Sequence, residues 1–308
     1  MTTFLNRQRG TAEFVFLQSL KALLLAAVAL LLCACSTRQL LLQGVADELA
    51  SQDQTSENDL LLARESSAFY LKLSESVLRQ TPGHLPLAQA VAGGFTQYAY
   101  AFVAFEADRI EAKDARQAQV LRERAARLYR RAQRHALAAL EQQTPGFAKA
   151  LANPDARQWP MLQAEQIGVA YWAAASWGGL ISLSKDDPDT VADLPLAVRL
   201  ASLAWHGRPD YGGGALASLM GSFELARPGG SSVKAQGYFD QAIELGGGKN
   251  AGAFVAKAEG MALPSGDRAA FESLLRQALL AAAARSDLSN EVMRARAQWL
   301  LDSADDLF

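Results

Sequence analysis

Apolar residues recur at helical spacing along most of this 308-residue chain, and no other feature of the sequence restricts the fold as strongly. Segments with this spacing follow one another from residue 61 to residue 305, and Gly, Pro or Asn ends nearly every one. Isoleucine occurs at only four positions, whereas Ala and Leu dominate, so intrinsic preference also favours helix over strand. The sequence therefore predicts an all-α fold.

A second pattern predicts how these helices pack. The Ala-x-x-x-aromatic-x-x-Ala spacing that is typical of the second helix of a tetratricopeptide repeat occurs at 125–132 and again at 235–242. The aromatic position recurs at Phe271 in a later helix, although Asp267 stands where that repeat has a small residue. We therefore predict a single domain over residues 61–308, a compact bundle of antiparallel helix pairs with degenerate tetratricopeptide-like repeats, and not a regular superhelix.

The amino-terminal residues predict processing and not folding. Basic residues precede an apolar run at 22–34, which has the length of a signal-peptide core and is short for a membrane span. The run ends at Cys35, preceded by a small residue, and this arrangement resembles the lipobox of bacterial lipoproteins, whereas Cys33 follows a leucine and does not fit. We expect a signal peptide at 1–34, lipidation of Cys35, and a segment at 35–60 that holds the tether and the start of the first helix.

The residue after the lipidated cysteine indicates to which membrane of the cell envelope a lipoprotein is sorted. Ser36 follows Cys35, where a lipoprotein retained at the inner membrane usually has aspartate. By resemblance to this bacterial sorting pattern, we expect a lipid anchor at the periplasmic face of the outer membrane. The alternative is an uncleaved amphiphilic anchor that starts near Phe14 and buries Lys21.

Few residues in the mature chain suit catalysis or metal binding. Removal of residues 1–34 leaves Cys35 as the last cysteine, and the three histidines are far apart, with no His-x-x-x-His pair on one helix. Neither a G-x-S-x-G elbow nor an H-E-x-x-H helix occurs. A net charge of −2 does not suit a nucleic-acid-binding protein. The sequence therefore predicts no enzyme activity, no metal and no nucleic-acid partner.

The stretch GGGKN at 246–250 raises the question of a phosphate-binding loop. A Walker loop needs a glycine five residues before its last one, a hydroxyl residue after the lysine, and a preceding strand. Here Asn250 follows Lys249, and the preceding segment is helical. The YGGGALA stretch at 211–217 also follows a helix and a turn. We expect helix connectors and no nucleotide cofactor, with Gly246 in the left-handed conformation and Asn250 as the cap of the next helix.

Two stretches are candidates for contacts with a partner or a ligand. Residues 116–134 contain seven arginines, and Arg122, Arg127 and Arg134 are the candidates to contact an acidic protein surface. The alternative is a solvated helix face. Large aromatic and small residues alternate at 171–179, where they form either the wall of an apolar ligand passage or part of the core. The candidate wall residues are Tyr171, Trp172 and Trp177.

Several motifs in the carboxyl-terminal half resemble a known family. These are LARPGG, KAQGYFDQAIELGGGKNAGAFVAKAE, DRAAFESLLRQAL and the closing NEVMRARAQWLL. Together they resemble the T component of TRAP-transporter-associated periplasmic lipoproteins, the TatT family. The resemblance implies a non-catalytic, lipid-anchored scaffold that forms a homo-oligomer such as a trimer and binds the substrate-binding P component of a tripartite ATP-independent uptake system. A general tetratricopeptide lipoprotein for cell-envelope assembly is the alternative.

Overall fold

The computed structural model of the protein describes residues 21, 38–52 and 57–308. In these residues the chain forms helices joined by turns and loops, with no strand, and this confirms the predicted all-α class. The predicted lipidation site, Cys35, and the predicted signal peptide, apart from Lys21, lie outside the described residues. Within the described part of the chain, no helix has the length and apolar character needed to cross a membrane.

The helices follow one another with short connections. In chain order they are α1 (38–51), α2 (Leu60–Leu78), α3 (Leu85–Ala99), α4 (Phe105–Ile110), α5 (Ala115–Gln143), α6 (Phe147–Leu151), α7 (Ile167–Ser182), α8 (Pro188–Ala192), α9 (Leu194–Gly207), α10 (Ala215–Ala226), α11 (Ser232–Leu245), α12 (Ala251–Lys257), α13 (Arg268–Ala284), α14 (Leu288–Asp302) and α15 (Ala304–Leu307). Two π-helices, Tyr100–Ala104 and Ala258–Ala262, continue α3 and α12. The sequence pattern predicted α2 to α5, α7 and α9 to α14, with α3 and α4 as one helix, but not α1, the short helices α6, α8 and α15, or the π-helices.

Short polar side chains fix where several helices begin. Asp59 accepts hydrogen bonds from the first-turn amides of α2, and Asp114 and Asp267 do the same for α5 and α13. These amides have no partner within the helix, so a carboxylate at this position accepts their hydrogen bonds. Its negative charge also interacts favourably with the positive end of the helix dipole. Asp267 therefore departs from the repeat pattern because it caps a helix.

The predicted repeat positions lie in the core and pack as expected. Phe239 is fully buried, and a Cβ added at Gly221 of α10 would lie 3.0 Å from its ring. Tyr129 on α5 is buried in the same way against Gly179 of α7, where an added Cβ would lie 2.8 Å from the ring. In both pairs a glycine on one helix makes room for an aromatic ring on its partner. The α10–α11 and α5–α7 pairs are accordingly among the most closely packed.

Both glycine runs are helix connectors. GGGKN joins α11 to α12, and Asn250 caps α12 by accepting from the amide of Gly252 at 3.1 Å, as predicted. The predicted left-handed conformation of Gly246 is wrong, because its φ is −79° and its amide still bonds to Ala242. The chain reverses at the next two glycines instead, which have φ of +59° and +68°.

The second run explains why the connectors are so rich in glycine. Gly214 has a φ of +95°, and a Cβ there would lie 2.3 Å from the carbonyl oxygen of Ala242. A Cβ at Gly246 would in turn lie 3.3 Å from the carbonyl oxygen of Gly213. The backbone therefore passes so close to α11 at Gly214 and to the other connector at Gly246 that a side chain has little room there. The remaining glycines of the two runs have positive φ, which favours glycine.

Candidate functional site

A cavity of about 530 Å³ lies between the amino-terminal helices and α14. Its volume is in the range of small-molecule binding sites in proteins. Helices α1, α2, α3, α7 and α14 and the first π-helix contribute to its wall, which includes Leu49, Ala50, Gln52, Ser67, Tyr70, Leu71, Ser74, Pro86, Gln89, Ala90, Gly93, Gly94, Gln97, Tyr98, Tyr100, Ala101, Phe102, Glu165, Trp172, Leu288, Ser289, Val292 and Met293.

The wall is aromatic and almost uncharged. Three tyrosines, a phenylalanine and a tryptophan face the cavity, together with leucine, valine and methionine side chains. Glu165 is the single charged residue among the described lining residues, and none of those residues is a lysine or an arginine. Burial in such a setting favours apolar groups and disfavours an unpaired anion. The cavity therefore suits a ligand with an apolar body and uncharged polar groups.

Tyr70 and Ser74 form a polar corner in this wall. The Tyr70 hydroxyl donates to the carbonyl oxygen of Leu49 at 2.5 Å and so ties α2 to α1. The Ser74 hydroxyl is buried and, among the described residues, has no hydrogen bond of normal geometry. Burial raises the pKa of Tyr70, and the nearby Ser74 hydroxyl partly opposes this rise. A buried hydroxyl without a partner is costly, so Ser74 is the least satisfied polar group of this corner among the described residues.

Two adjacent glycines on α3 shape the cavity. A Cβ at Gly93 would lie 2.7 Å from Cε2 of Trp172, and one at Gly94 would lie 2.4 Å from Cδ2 of Leu71. Trp172 and Leu71 thus occupy the space that side chains on α3 would fill. The close approach of α3 to α2 and α7 depends on this glycine pair.

The structure separates the three aromatic residues predicted as a ligand wall. Trp172 lines the cavity, but Tyr171 and Trp177 are not among its lining residues. Tyr171 packs against Tyr211 with ring centroids 5.1 Å apart. Trp177 is buried in the main core and donates from Nε1 to Asp193 at 3.3 Å. Trp177 therefore belongs to the core, as the alternative interpretation expects. Of the three residues, only Trp172 lines the cavity.

Behind the cavity, Arg296 of α14 joins the two halves of the molecule, which are the amino-terminal helices that carry Asp108 and the carboxyl-terminal helices that carry Glu259. Its guanidinium donates to Glu259 at 2.7 Å and to Asp108 at 3.1 Å. It also lies 5.3 Å from the ring centroids of both Tyr100 and Phe105, within the range of a cation–π contact. Its side chain is only 12% exposed. Because Tyr100 is also a cavity residue, the ion-paired network supports this part of the wall from behind.

The first π-helix explains how two aromatic rings reach the same arginine. In an α-helix, residues five apart point about 140° away from each other. Here the amide of Phe105 bonds to the carbonyl of Tyr100, five residues earlier, which brings the two closer to alignment. The second π-helix carries Glu259 to the other side of Arg296. π-Helices are rare and often lie at functional sites.

A second buried charge cluster lies next to the polar corner. The Glu75 side chain is only 3% exposed and accepts hydrogen bonds from Lys72, from His135 and from both Nε and Nη2 of Arg131. Burial alone would raise the pKa of Glu75, but the hydrogen bonds from Arg131, Lys72 and His135 hold that pKa well below its usual range. This cluster fixes α5 against α2, one residue along from Ser74.

The predicted arginine contacts fall into two groups. Arg122 donates to both carboxylate oxygens of Glu111, at 2.8 and 2.6 Å, and so ties α5 to the end of α4. Arg127 and Arg134 are exposed, and Arg130 lies on the same helix face at i, i+3 and i+7 spacing. We call Arg127, Arg130 and Arg134 the arginine face. Sequence spacing could have identified Arg130, but not the intramolecular pairing of Arg122.

The described residues contain no cluster of His, Cys, Asp or Glu that could hold a metal ion. Comparison with known proteins gives the family. The family model of the TRAP transporter T-component matches residues 56–308. A Treponema pallidum (strain Nichols) protein that carries the name "Uncharacterized protein" is 28% identical over 268 residues, which cover 82% of each chain. With its helical pairs, its cavity and a family match over most of its length, the chain belongs to the TRAP transporter T-component family.

Proposed function

We propose that this protein is a periplasmic, lipid-anchored accessory subunit that binds the substrate-binding P component of a tripartite ATP-independent periplasmic transporter. The family match over residues 56–308 carries this proposal. The lipobox-like sequence that ends at Cys35 supports the anchor, and the proposed location is the periplasmic face of the outer membrane. The family resemblance further supports a homo-oligomer such as a trimer, and no catalytic role is proposed.

We further propose that the arginine face contacts the P component. The three exposed arginines on one side of α5 form no ion pair among the described residues, unlike Arg122, although Arg130 is near enough to Asp187 for an electrostatic interaction. Complementary charge mainly accelerates association and makes it sensitive to salt. Changing Arg127, Arg130 and Arg134 together to Gln should therefore slow association about tenfold at low salt. Stopped-flow or surface-based kinetics with the P component encoded beside this protein would measure the change.

The control has the same change of net charge elsewhere on the surface. Arg157, Arg276 and Arg294 are 88%, 64% and 55% exposed, and among the described residues each pairs only with a nearby carboxylate. Changing these three to Gln should leave the association rate unchanged. Equal effects of both triple variants would contradict a role for the arginine face. Pull-downs from envelope extract that recover no substrate-binding protein, with a monomer in light scattering, would favour the envelope-assembly alternative.

The cavity supports a proposal about the ligand class. Since Glu165 is the only charged residue among the described residues that line it, a carboxylate would enter without a cationic partner. We propose that the cavity takes apolar, uncharged molecules whose polar group bonds to Ser74, Gln89 or Gln97. Organic acid anions then do not enter this cavity, even if the P component carries them.

Two probes of equal chain length test this proposal. Decanol should displace a bound apolar dye such as N-phenyl-1-naphthylamine at a concentration at least tenfold below that of decanoate at pH 7, because the carboxylate loses solvation without compensation. Ser289→Trp places a large ring at an exposed lining position and should weaken dye binding. Displacement by decanoate at equal or lower concentration would contradict the proposed ligand class.

A further inference from the structure

The first turns of α1 are apolar on sides that the rest of the protein does not cover. Ala46 and Leu49 are buried and face the body of the protein. Leu40, Leu41 and Val45 lie on the other side and are 71%, 72% and 48% exposed. These three positions span an arc of about 140° on the helix. Single exposed leucines are ordinary, but an apolar cluster at one helix end calls for a partner.

This helix end has a fixed position on the protein. The Leu49 carbonyl accepts from Tyr70, and Asp47 contacts His84 at 2.9 Å. At the amino-terminal end, Arg38 donates to Gln80 at 3.4 Å, just beyond the end of α2. The exposed leucines therefore project from a helix that is held against the body along its length.

The short stretch of chain between Cys35 and α1 indicates what covers the exposed residues Leu40, Leu41 and Val45. Cys35 precedes the first described residue of α1 by three positions, and three residues span at most about 11 Å even when fully extended. A lipid on Cys35 therefore holds the start of α1 within that distance of the bilayer surface. Leu40 and Leu41 lie in the first described turn of α1. We propose that Leu40, Leu41 and Val45 form a membrane-contacting tip that enters the interface of the bilayer, an inference that rests on the proposed lipidation of Cys35.

The charges beside the tip suit a phospholipid surface. Arg38 begins the described part of α1 and contacts Gln80. Arg79 directly follows α2 and is the neighbour of Gln80 in the sequence. Both arginines are exposed. Leucines flanked by basic residues are typical of helices that lie at a membrane interface. The tip thus adds a second, protein-based contact to the lipid, and the two contacts together set the orientation of the molecule.

Orientation matters because α1 also reaches the cavity. Leu49 and Ala50, near the far end of the helix, line the cavity wall. Twelve residues separate position 38 from position 50, and at 1.5 Å per residue they span about 18 Å. The tip and the cavity are therefore rigidly linked by one short helix, and the cavity lies at a set height above the bilayer.

Site-specific fluorescence in vesicles tests the tip with the full, lipidated protein. Because the only cysteines in the sequence are Cys33 and Cys35, Leu41→Cys gives the processed protein one free thiol for an NBD label. Leu280→Cys is the matched control, since Leu280 on α13 is also 72% exposed. In phosphatidylethanolamine and phosphatidylglycerol vesicles, nitroxides on the acyl chains should quench the label at 41 several-fold more than the label at 280. They should also quench it more than headgroup nitroxides do.

Two other results would overturn the inference. Equal quenching at both positions, or quenching at 41 by headgroup nitroxides alone, would mean that the protein is tethered without contact by the tip. Flotation of the wild-type and Cys35→Ser proteins distinguishes a tethered protein whose tip makes no contact from a protein that has no lipid anchor. If only the wild type floats, the lipid anchor is correct and the tip is judged by quenching. If the wild type carries no lipid, the lipoprotein proposal itself fails, and the tip with it.

Discussion

Replacing Arg296 with Met is expected to lower the free energy of unfolding by about 3–5 kcal/mol, the range for breaking one side of a buried ion pair. The variant keeps the apolar bulk but leaves Glu259 and Asp108 without their common partner, in a setting where the arginine is only 12% exposed. Urea unfolding followed by circular dichroism would measure the loss. Because Tyr100 also lines the cavity, dye binding should weaken in the same variant.

Arg294 provides the control on the same helix. It is 55% exposed and pairs with Glu291 one turn away, so Arg294→Met should cost less than about 1 kcal/mol. Changing Glu259 to Met in addition to Arg296 should recover part of the stability, since one of the unpaired charges is then gone. Similar losses for Arg296→Met and Arg294→Met would show that the network does not join the two halves.

The second large effect is expected at Glu75. Glu75→Gln should cost about 2–4 kcal/mol at pH 7, because the amide is uncharged and keeps only one acceptor oxygen for the donors Arg131, Lys72 and His135. Glu65→Gln, an exposed change on the same helix, should leave the unfolding midpoint nearly unchanged. Thermal or urea unfolding of the two variants in parallel would separate a buried cluster from a general effect of charge removal.

The same carboxylate predicts how stability depends on pH. The pKa of Glu75 is lowered from its usual 4.5 in the folded protein. Its contribution is therefore complete above that value and is lost as the pH falls toward the folded pKa, because the unfolded chain takes up the proton first. The stability difference between wild type and Glu75→Gln should narrow as the pH falls below 4.5. A difference that stays constant down to pH 3 would contradict this assignment.

Local signals in the sequence were sufficient for the helical architecture. The spacing of Ala235, Phe239 and Ala242 predicts a helix stripe that packs against a partner, and all three residues are fully buried. Asn250 was predicted as a cap from its place after a connector, and it caps α12. Such features depend on neighbours in the sequence, and the physics of one helix is enough to predict them.

Other features depend on contacts between distant residues and could not be predicted in this way. Gly246 and Gly247 are equivalent in sequence, and only the helix end decides which one adopts the left-handed conformation. Arg122 and Arg127 likewise belong to one basic helix, but only Arg122 lies within reach of Glu111. The helix α1 did leave a signal, since Leu42, Ala46 and Leu49 have helical spacing before the polar stretch at 51–60.

The hydrogen bonding of the first π-helix sets the register of α4 relative to α3. With the same residues in α-helical hydrogen bonding, everything after the segment would be turned by about 100° relative to α3. Phe105 and Asp108 would then rotate away from Arg296, which they now contact at 5.3 and 3.1 Å. Removing one residue from this turn would instead leave Tyr100 and Phe105 four residues apart, which places them on the same face of an α-helix, and would keep the contact. The π-helix therefore absorbs one surplus residue and keeps Tyr100 and Phe105 on the same side, where both contact Arg296.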